Sequence, residues 1–231
     1  LGRDQAINKF GMLTKFRILP KQFGNYNRKK TFEIEEICVG TNTMSYESYL
    51  KCRNFSFIVK LLANPVFSSI NDLLSQFDIN WYDLCMAVYR EIQIKDSNSE
   101  LKSLYENFCK ESHNELFETR EDAIKFYSKE KNYKLLYSGE IGENLLGKYV
   151  AKSLFVLDDI YNTIFNAIRN NFFVNADDNI NQILNSSEKW LRSLYLIDEI
   201  FDENRSKSNT FTVDLNFDFP KWLLNKDKPI N

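Results

Sequence analysis

Apolar residues along this chain recur mostly at helical spacing, with alternation confined to short stretches near the two ends. Lys15–Leu19 (KFRIL) alternates at first, and Pro20 ends it. Phe32 and Ile34 alternate with Glu33 and Glu35, after which Ile37, Cys38 and Val39 run on unbroken. The clearest alternation comes late: Phe211, Val213, Leu215, Phe217 and Phe219 interleave with Thr212, Asp214, Asn216 and Asp218. These patterns predict strands at 15–19, 32–39 and 211–218, the last pairing with the second. Residues 21–30 are polar, with Gly24, Asn25 and Asn27, and read as a turn or loop, long for a hairpin.

Between the strands the period is helical. Ala6, Ile7, Phe10 and Leu13 predict one or two helical turns, weakened by Gly11. Ser45 opens a helix with Glu47 and Ser48 in its first turn, and Tyr46, Tyr49, Leu50, Phe57, Ile58, Leu61 and Leu62 form its broad apolar face until Asn64-Pro65. Further helices are predicted over 67–77, 81–94 (with Asn80 as cap), 101–108 and 121–133. Residues 143–170 carry apolar residues on more than one stripe, which predicts a single central buried helix. A last long helix starts at Asp177-Asp178 and runs to about Phe201. The fold class is therefore mainly α (α+β): a bundle of about seven helices with a small antiparallel sheet of N-terminal and C-terminal strands. Residues 1–43 form a basic segment with a strand hairpin, and 44–231 a helical bundle closed by the C-terminal strand, the whole making one compact domain.

The aromatic share of 15% points to a core of large rings. Charge is unevenly spread. Residues 1–30 hold Arg3, Lys9, Lys15, Arg17, Lys21, Arg28, Lys29 and Lys30 against Asp4 alone, so this segment is strongly positive within a chain of net charge −2. Such an arm either meets an acidic partner or packs on the acidic remainder of its own protein, and the second reading is preferred because no nucleic-acid motif accompanies it. Cys38, Cys52, Cys85 and Cys109 are scattered, with no Cys-x-x-Cys pair. With no signal peptide evident, they point to the cytoplasm. No apolar stretch approaches the roughly 20 residues of a membrane span. The chain starts at Leu1 rather than Met, so a piece of a longer protein is expected.

Catalytic chemistry needs convergent groups. His113, the single histidine, sits in the polar run KESHNELFETRED with no partner to orient it. Asp158-Asp159 and Asp177-Asp178 are adjacent pairs, which point apart on a helix. Gly139, Gly142 and Gly147 match neither a dinucleotide nor a Walker pattern; they read as a turn at 138–142 and a close backbone approach at Gly147. No catalytic or metal-ligating residue is assigned. The candidate substrate or partner contacts are Arg17, Thr41, Asn42, Thr43, Ser45 and Arg53, around the turn from the second strand into the helix.

Residues 11–26 (GMLTKFRILPKQFGNY) and the run from Phe32 to Leu62 resemble the region just after the catalytic barrel of radical SAM proteins with an N-terminal cobalamin-binding domain. In that family a second strand ends in a Thr-x-Ser/Thr-hydrophobic-Ser loop that opens a helix with acidic and aromatic residues. The positions here are Thr41, Thr43, Met44, Ser45, Glu47 and Tyr49. GEIGENLLGKYVAK (139–152) and NFDFPKWL (216–223) resemble later parts of the same region. The Cys-x-x-x-Cys-x-x-Cys motif and the cobalamin domain are absent from this chain. The resemblance thus implies a non-catalytic C-terminal accessory domain that covers the barrel, shapes the substrate pocket or mediates assembly. It implies an iron–sulfur cluster, S-adenosylmethionine and cobalamin in the parent protein and none in this chain. The partner it implies is the parent's catalytic domain, with a homo-oligomer also open and no nucleic acid. Two other classes stay open: a freestanding helical interaction module using the basic arm, and a small-molecule-binding helical domain.

Overall fold

Asn27 and Arg28 both adopt positive φ (49° and 65°), the conformation that a two-residue hairpin turn matched to strand twist requires. The computed structural model, which describes residues 2–95, 99–194 and 212–224, accordingly forms a long antiparallel hairpin around that turn. Strand β1 is Leu13–Tyr26 and β2 is Lys29–Gly40, with Tyr26 opposite Lys29 and Leu13 opposite Gly40. The segment expected as a loop at 21–30 is therefore mostly strand. Pro20 does not end β1, because it lies where the register breaks: Ile18 faces Ile34 and Phe23 faces Phe32, so four residues of β1 bulge against Glu33 alone. A bulge asks no ladder bond of proline, and Lys21 takes a positive φ of 62° within it.

The helical expectation holds. The helices are α1 (Arg3–Phe10), α2 (Tyr46–Leu62), α3 (Ser68–Ser75), α4 (Trp81–Ile94), α5 (Glu100–Asn114), α6 (Arg120–Ser128) and α7 (Glu130–Tyr137). They continue with α8 (Leu145–Ser153), α9 (Leu157–Phe172), α10 (Asp178–Leu194) and the short α11 (Phe219–Leu223). The protein is mainly helical with a small antiparallel sheet. The helix expected over 121–133 is two, because Lys129 is extended (φ −62°, ψ 134°) and stands between α6 and α7. The single helix expected over 143–170 is also two, separated by a 3-10 turn at Leu154–Val156. No glycine or proline marks that break.

The sheet consists of β1 and β2 alone among the described residues. Phe211 lies outside them, and residues 212–218 join no ladder. Their alternation is nonetheless expressed: Val213, Leu215 and Phe217 are half-buried while Thr212, Asp214, Asn216 and Asp218 are exposed. Period two requires only that one side of an extended segment be covered, which side chains achieve without strand pairing. Lys189 donates to the Asp214 carbonyl at 2.8 Å, and Phe219 stacks on Trp190 with ring centroids 5.3 Å apart.

The chain divides into two compact units. One comprises Leu1–Phe57 and Leu104–Ala151, the other Ile58–Ser103 and Lys152–Asn231. In the first, the apolar face of the hairpin, with Ile18 and Phe32, packs on Ala123 and Tyr127 of α6 and Leu136 of α7. A second aromatic core joins Phe57 of α2 to Phe108 of α5 (5.1 Å) and Phe108 to Tyr149 of α8 (5.5 Å). In the second unit, α9 packs against α4 and α10. Its buried residues Leu157, Ile160, Tyr161, Thr163, Ile164, Phe165, Ala167 and Ile168 cover a little over half its circumference, a broad buried face as the sequence pattern requires. Cys85 lies fully buried on α4, where desolvation pushes its thiol up to about 12, so it behaves as a small core residue.

Candidate functional site

Alternation along β1 puts Lys15 and Arg17 on the face opposite Ile18. This face is polar, and charge fills it. The segment after α5 runs antiparallel beside β1, fixed where Phe16 donates to the Phe117 carbonyl at 2.9 Å and accepts from the Phe117 amide at 2.8 Å. That pairing brings Glu118 to Lys15 and Glu115 to Arg17. Arg17 donates through Nε to Glu35 Oε1, directly across on β2, at 2.6 Å, and through Nη1 to Glu115 Oε1 at 3.4 Å. Arg53, two turns into α2, donates through Nη2 to the same Glu115 oxygen.

The result is a chain of alternating charge, Glu35–Arg17–Glu115–Arg53, in which Glu115 and Arg53 side chains are only 14% and 15% exposed. Burial pushes the Glu115 carboxyl upward, against the opposing pull of Arg53 and Arg17. Each cation already has a carboxylate, so the cluster is electrically closed rather than poised for an anion. The Nε of Arg53, Oδ1 of Asn54 and Oγ of Ser112 are buried without a hydrogen-bond partner among the described residues.

At the other end of this face the Lys15 ammonium lies 4.9 Å from the Tyr46 ring centroid, a cation–π contact beside its ion pair with Glu118. Tyr46 stacks on Tyr49, and its ring lies 6.3 Å from that of exposed His113. Burial raises the Tyr46 phenol, which Lys15 partly opposes. Among the described residues His113 thus has an aromatic neighbour but no carboxylate that orients it.

Of the sequence candidates, Arg17 and Arg53 come together, through Glu115. Thr41, Asn42, Thr43 and Ser45 make no hydrogen bond or ion pair with either among the described residues. Gly40 stands five residues beyond Glu35 on β2, about 17 Å along the strand. The loop is committed to its own backbone. Thr41 Oγ1 accepts from the amides of Thr43 (3.3 Å) and Met44 (3.2 Å) and lies 3.2 Å from the Thr43 hydroxyl. The Asn42 amide donates to Phe10 O at 2.8 Å. Ser45 Oγ caps α2 by accepting from Ser48 N at 3.1 Å.

Glu115 and Glu118 are additions that sequence reasoning did not single out, and Lys15, Tyr46 and Tyr49, named there in the basic arm, the α2 apolar face and the resemblance motif, were not among its contact candidates. The one signal for the two glutamates was the acidic surplus beyond residue 30. Five of the segment's eight cations meet carboxylates within the chain: Arg3 pairs with Glu36, Lys15 with Glu118, Arg17 with Glu35 and Glu115, Lys30 with Glu130, and Lys21 approaches Glu143 at 4.0 Å. For these five the preferred expectation holds, while Lys9, Arg28 and Lys29 make no ion pair among the described residues. Concavities occur elsewhere, in the second unit. One of about 580 Å³ is bounded by Leu62, Asn64, Ser68, Asn71, Asp72 and Trp81, and one of about 360 Å³ by residues 171–176 and Ile180. Among the described residues no three His, Cys, Asp or Glu side chains group as a metal site, and no single helix is long and apolar enough to cross a membrane. No protein-family model matches the chain, and no curated protein matches it in sequence.

Proposed function

We propose that this chain is a non-catalytic accessory domain of a cobalamin-binding radical SAM enzyme, serving to cover the catalytic barrel, shape its substrate pocket or mediate assembly. The observation that carries this reading is the path of residues 11–62. A hairpin's second strand ends at Gly40, turns through Thr41–Ser45 and opens α2, the order of elements that the resemblance implies. The way polar groups are spent supports it too. The loop hydroxyls hold backbone amides and the two arginines hold carboxylates, which suits a part that keeps a shape. In the parent protein the iron–sulfur cluster, S-adenosylmethionine and cobalamin would belong to the catalytic portion.

The test is to produce the protein from the natural reading frame that contains this chain, purify it without oxygen, and measure bound iron, sulfide, cobalamin and S-adenosylmethionine. The 231-residue chain serves as the comparison. The reading expects all four in the product of the frame and none on the chain alone. A frame lacking a Cys-x-x-x-Cys-x-x-Cys motif, whose product binds neither iron nor S-adenosylmethionine, overturns it.

A further inference from the structure

We propose that the outer edge of β2 pairs antiparallel with the same edge of a second copy of this chain, giving a two-fold dimer with a continuous sheet. Backbone polar groups of a strand face its two neighbours alternately. Phe16 stands opposite Glu36 but exchanges its N–H and C=O with Phe117, so its bonds point away from β2. The Glu36 groups correspondingly point away from β1, and by alternation so do those of Ile34, Phe32 and Lys30. Among the described residues no backbone hydrogen bond reaches this edge of β2. β1 is protected at Phe16 by Phe117, whereas β2 presents an open template of the kind that pairs with another chain.

Charge selects the occupant. β2 and its turn begin with Arg28, Lys29 and Lys30 and continue with Glu33, Glu35 and Glu36. Laid antiparallel on itself about Phe32, this strand sets Lys29 opposite Glu35 and Thr31 opposite Glu33, and brings Arg28 beside Glu36. The outward groups of Lys30, Phe32 and Ile34 then meet those of Ile34, Phe32 and Lys30 in the second copy. Parallel pairing in register sets like charge on like, and an antiparallel pair centred on Ile34 sets Glu33 against Glu35. A basic peptide matches only the acidic half of the edge and an acidic peptide only the basic half. The two-fold arrangement satisfies both halves at once, as a self-complementary interface must. Arg28, Lys29 and Glu33 are exposed and carry no ion pair within the chain among the described residues, whereas the facing Glu35 and Glu36 already hold Arg17 and Arg3 and would share their remaining acceptor sites with the second copy.

Sedimentation velocity of the full chain over about 1–100 μM, a range that brackets micromolar association, tests this. A dimer is expected, weakened by raised salt. Lys29→Glu turns two cross-strand attractions repulsive and is expected to weaken association about tenfold or more with the circular dichroism spectrum of the folded chain unchanged. Ile34→Pro removes an outward N–H and is expected to give a monomer; should that variant fail to fold, as circular dichroism would show, Lys29→Glu decides alone. A wild-type chain that stays monomeric throughout overturns the proposal, as does a folded variant of either kind that associates as the wild type does.

Discussion

Arg53 of α2 and Glu115, just past the end of α5, form an ion pair with both side chains largely removed from water. The same carboxylate accepts from Arg17 of β1 at 3.4 Å, so a single anion ties the hairpin, α2 and the α5–α6 connection together within the first compact unit. Removing one partner of a buried pair strands the other charge, which costs more than the pair itself contributes. Glu115→Gln leaves Arg17 with Glu35 but Arg53 without a carboxylate. A loss of about 3 kcal/mol is expected, at the lower end of the range for such truncations because the groups keep some solvent contact. Urea unfolding followed by circular dichroism measures it, and Glu118→Gln is the comparison. Glu118 is 75% exposed, so its loss should cost about 1 kcal/mol or less.

Asp159 plays the corresponding part in the second unit. Its carboxylate accepts from Lys95 Nζ (2.7 Å), Ser99 Oγ (2.6 Å) and the Leu101 amide (3.0 Å), while Ser99 Oγ accepts from Lys102 N, so α9 helps cap α5. Burial alone would raise this carboxyl, but the hydrogen bonds and the Lys95 charge outweigh it, and it titrates below its ordinary value. A carboxyl depressed in the folded state adds stability above its unfolded pKa of about 3.9, and that stability is lost as pH falls through the folded value. Stability measured from pH 7 down to about 2 should therefore fall less steeply below about pH 4 in Asp159→Asn than in the wild type. At neutral pH, Asp159→Ala should cost about 2–3 kcal/mol, for lost charge-assisted hydrogen bonds.

What could be read from the sequence is what local chemistry decides. Asn80 caps α4 through the Asp83 amide, and Asn64 with Pro65 closes α2 and opens the following turn, each within four residues of the signal. The hairpin was legible in its strands but not its length, because Pro20 reads as a terminator and only pairing to β2 makes it a bulge. The alternation at 212–218 reported which side chains are covered and could not report whether a second strand lies alongside. Arg17 and Arg53 could be named as cations, but Glu115 lies 98 and 62 residues from them in sequence, and no local pattern encodes such a meeting.

The Thr41 and Ser45 hydroxyls hold backbone amides of the loop and of α2, so substitutions there should read out as stability. Ser45→Ala removes the side-chain acceptor for Ser48 N and should cost about 1 kcal/mol, the usual loss for an N-cap. Thr41→Ala releases the Thr43 and Met44 amides from its hydroxyl and should cost a similar amount, about 1 kcal/mol. Ser45→Asp, which keeps a capping oxygen and adds charge favourable at a helix start, should restore the wild-type midpoint in urea. If Asp fails to restore what Ala removes, Ser45 contributes something other than the cap.

Two glycines in one resemblance motif should respond with opposite sign. Gly142 has φ +70°, and a Cβ there would stand 2.3 Å from Leu136 Cδ1 and 3.1 Å from Ile18 Cγ2, inside the core where the hairpin meets α7. Gly142→Ala combines a left-handed backbone with that crowding and should cost about 2–3 kcal/mol. Gly147 lies within α8, where a Cβ meets nothing nearer than the Asn144 side chain at 3.8 Å, so no neighbouring backbone needs its missing side chain and the close approach expected there does not occur. Gly147→Ala gains helix propensity without a clash and should stabilise by about 0.5–1 kcal/mol. Thermal melts of the two variants beside the wild type give both signs in one experiment. A Gly147→Ala variant that melts lower would mean that this face of α8 is closed by something the chain alone does not supply, and would direct the search for a partner there.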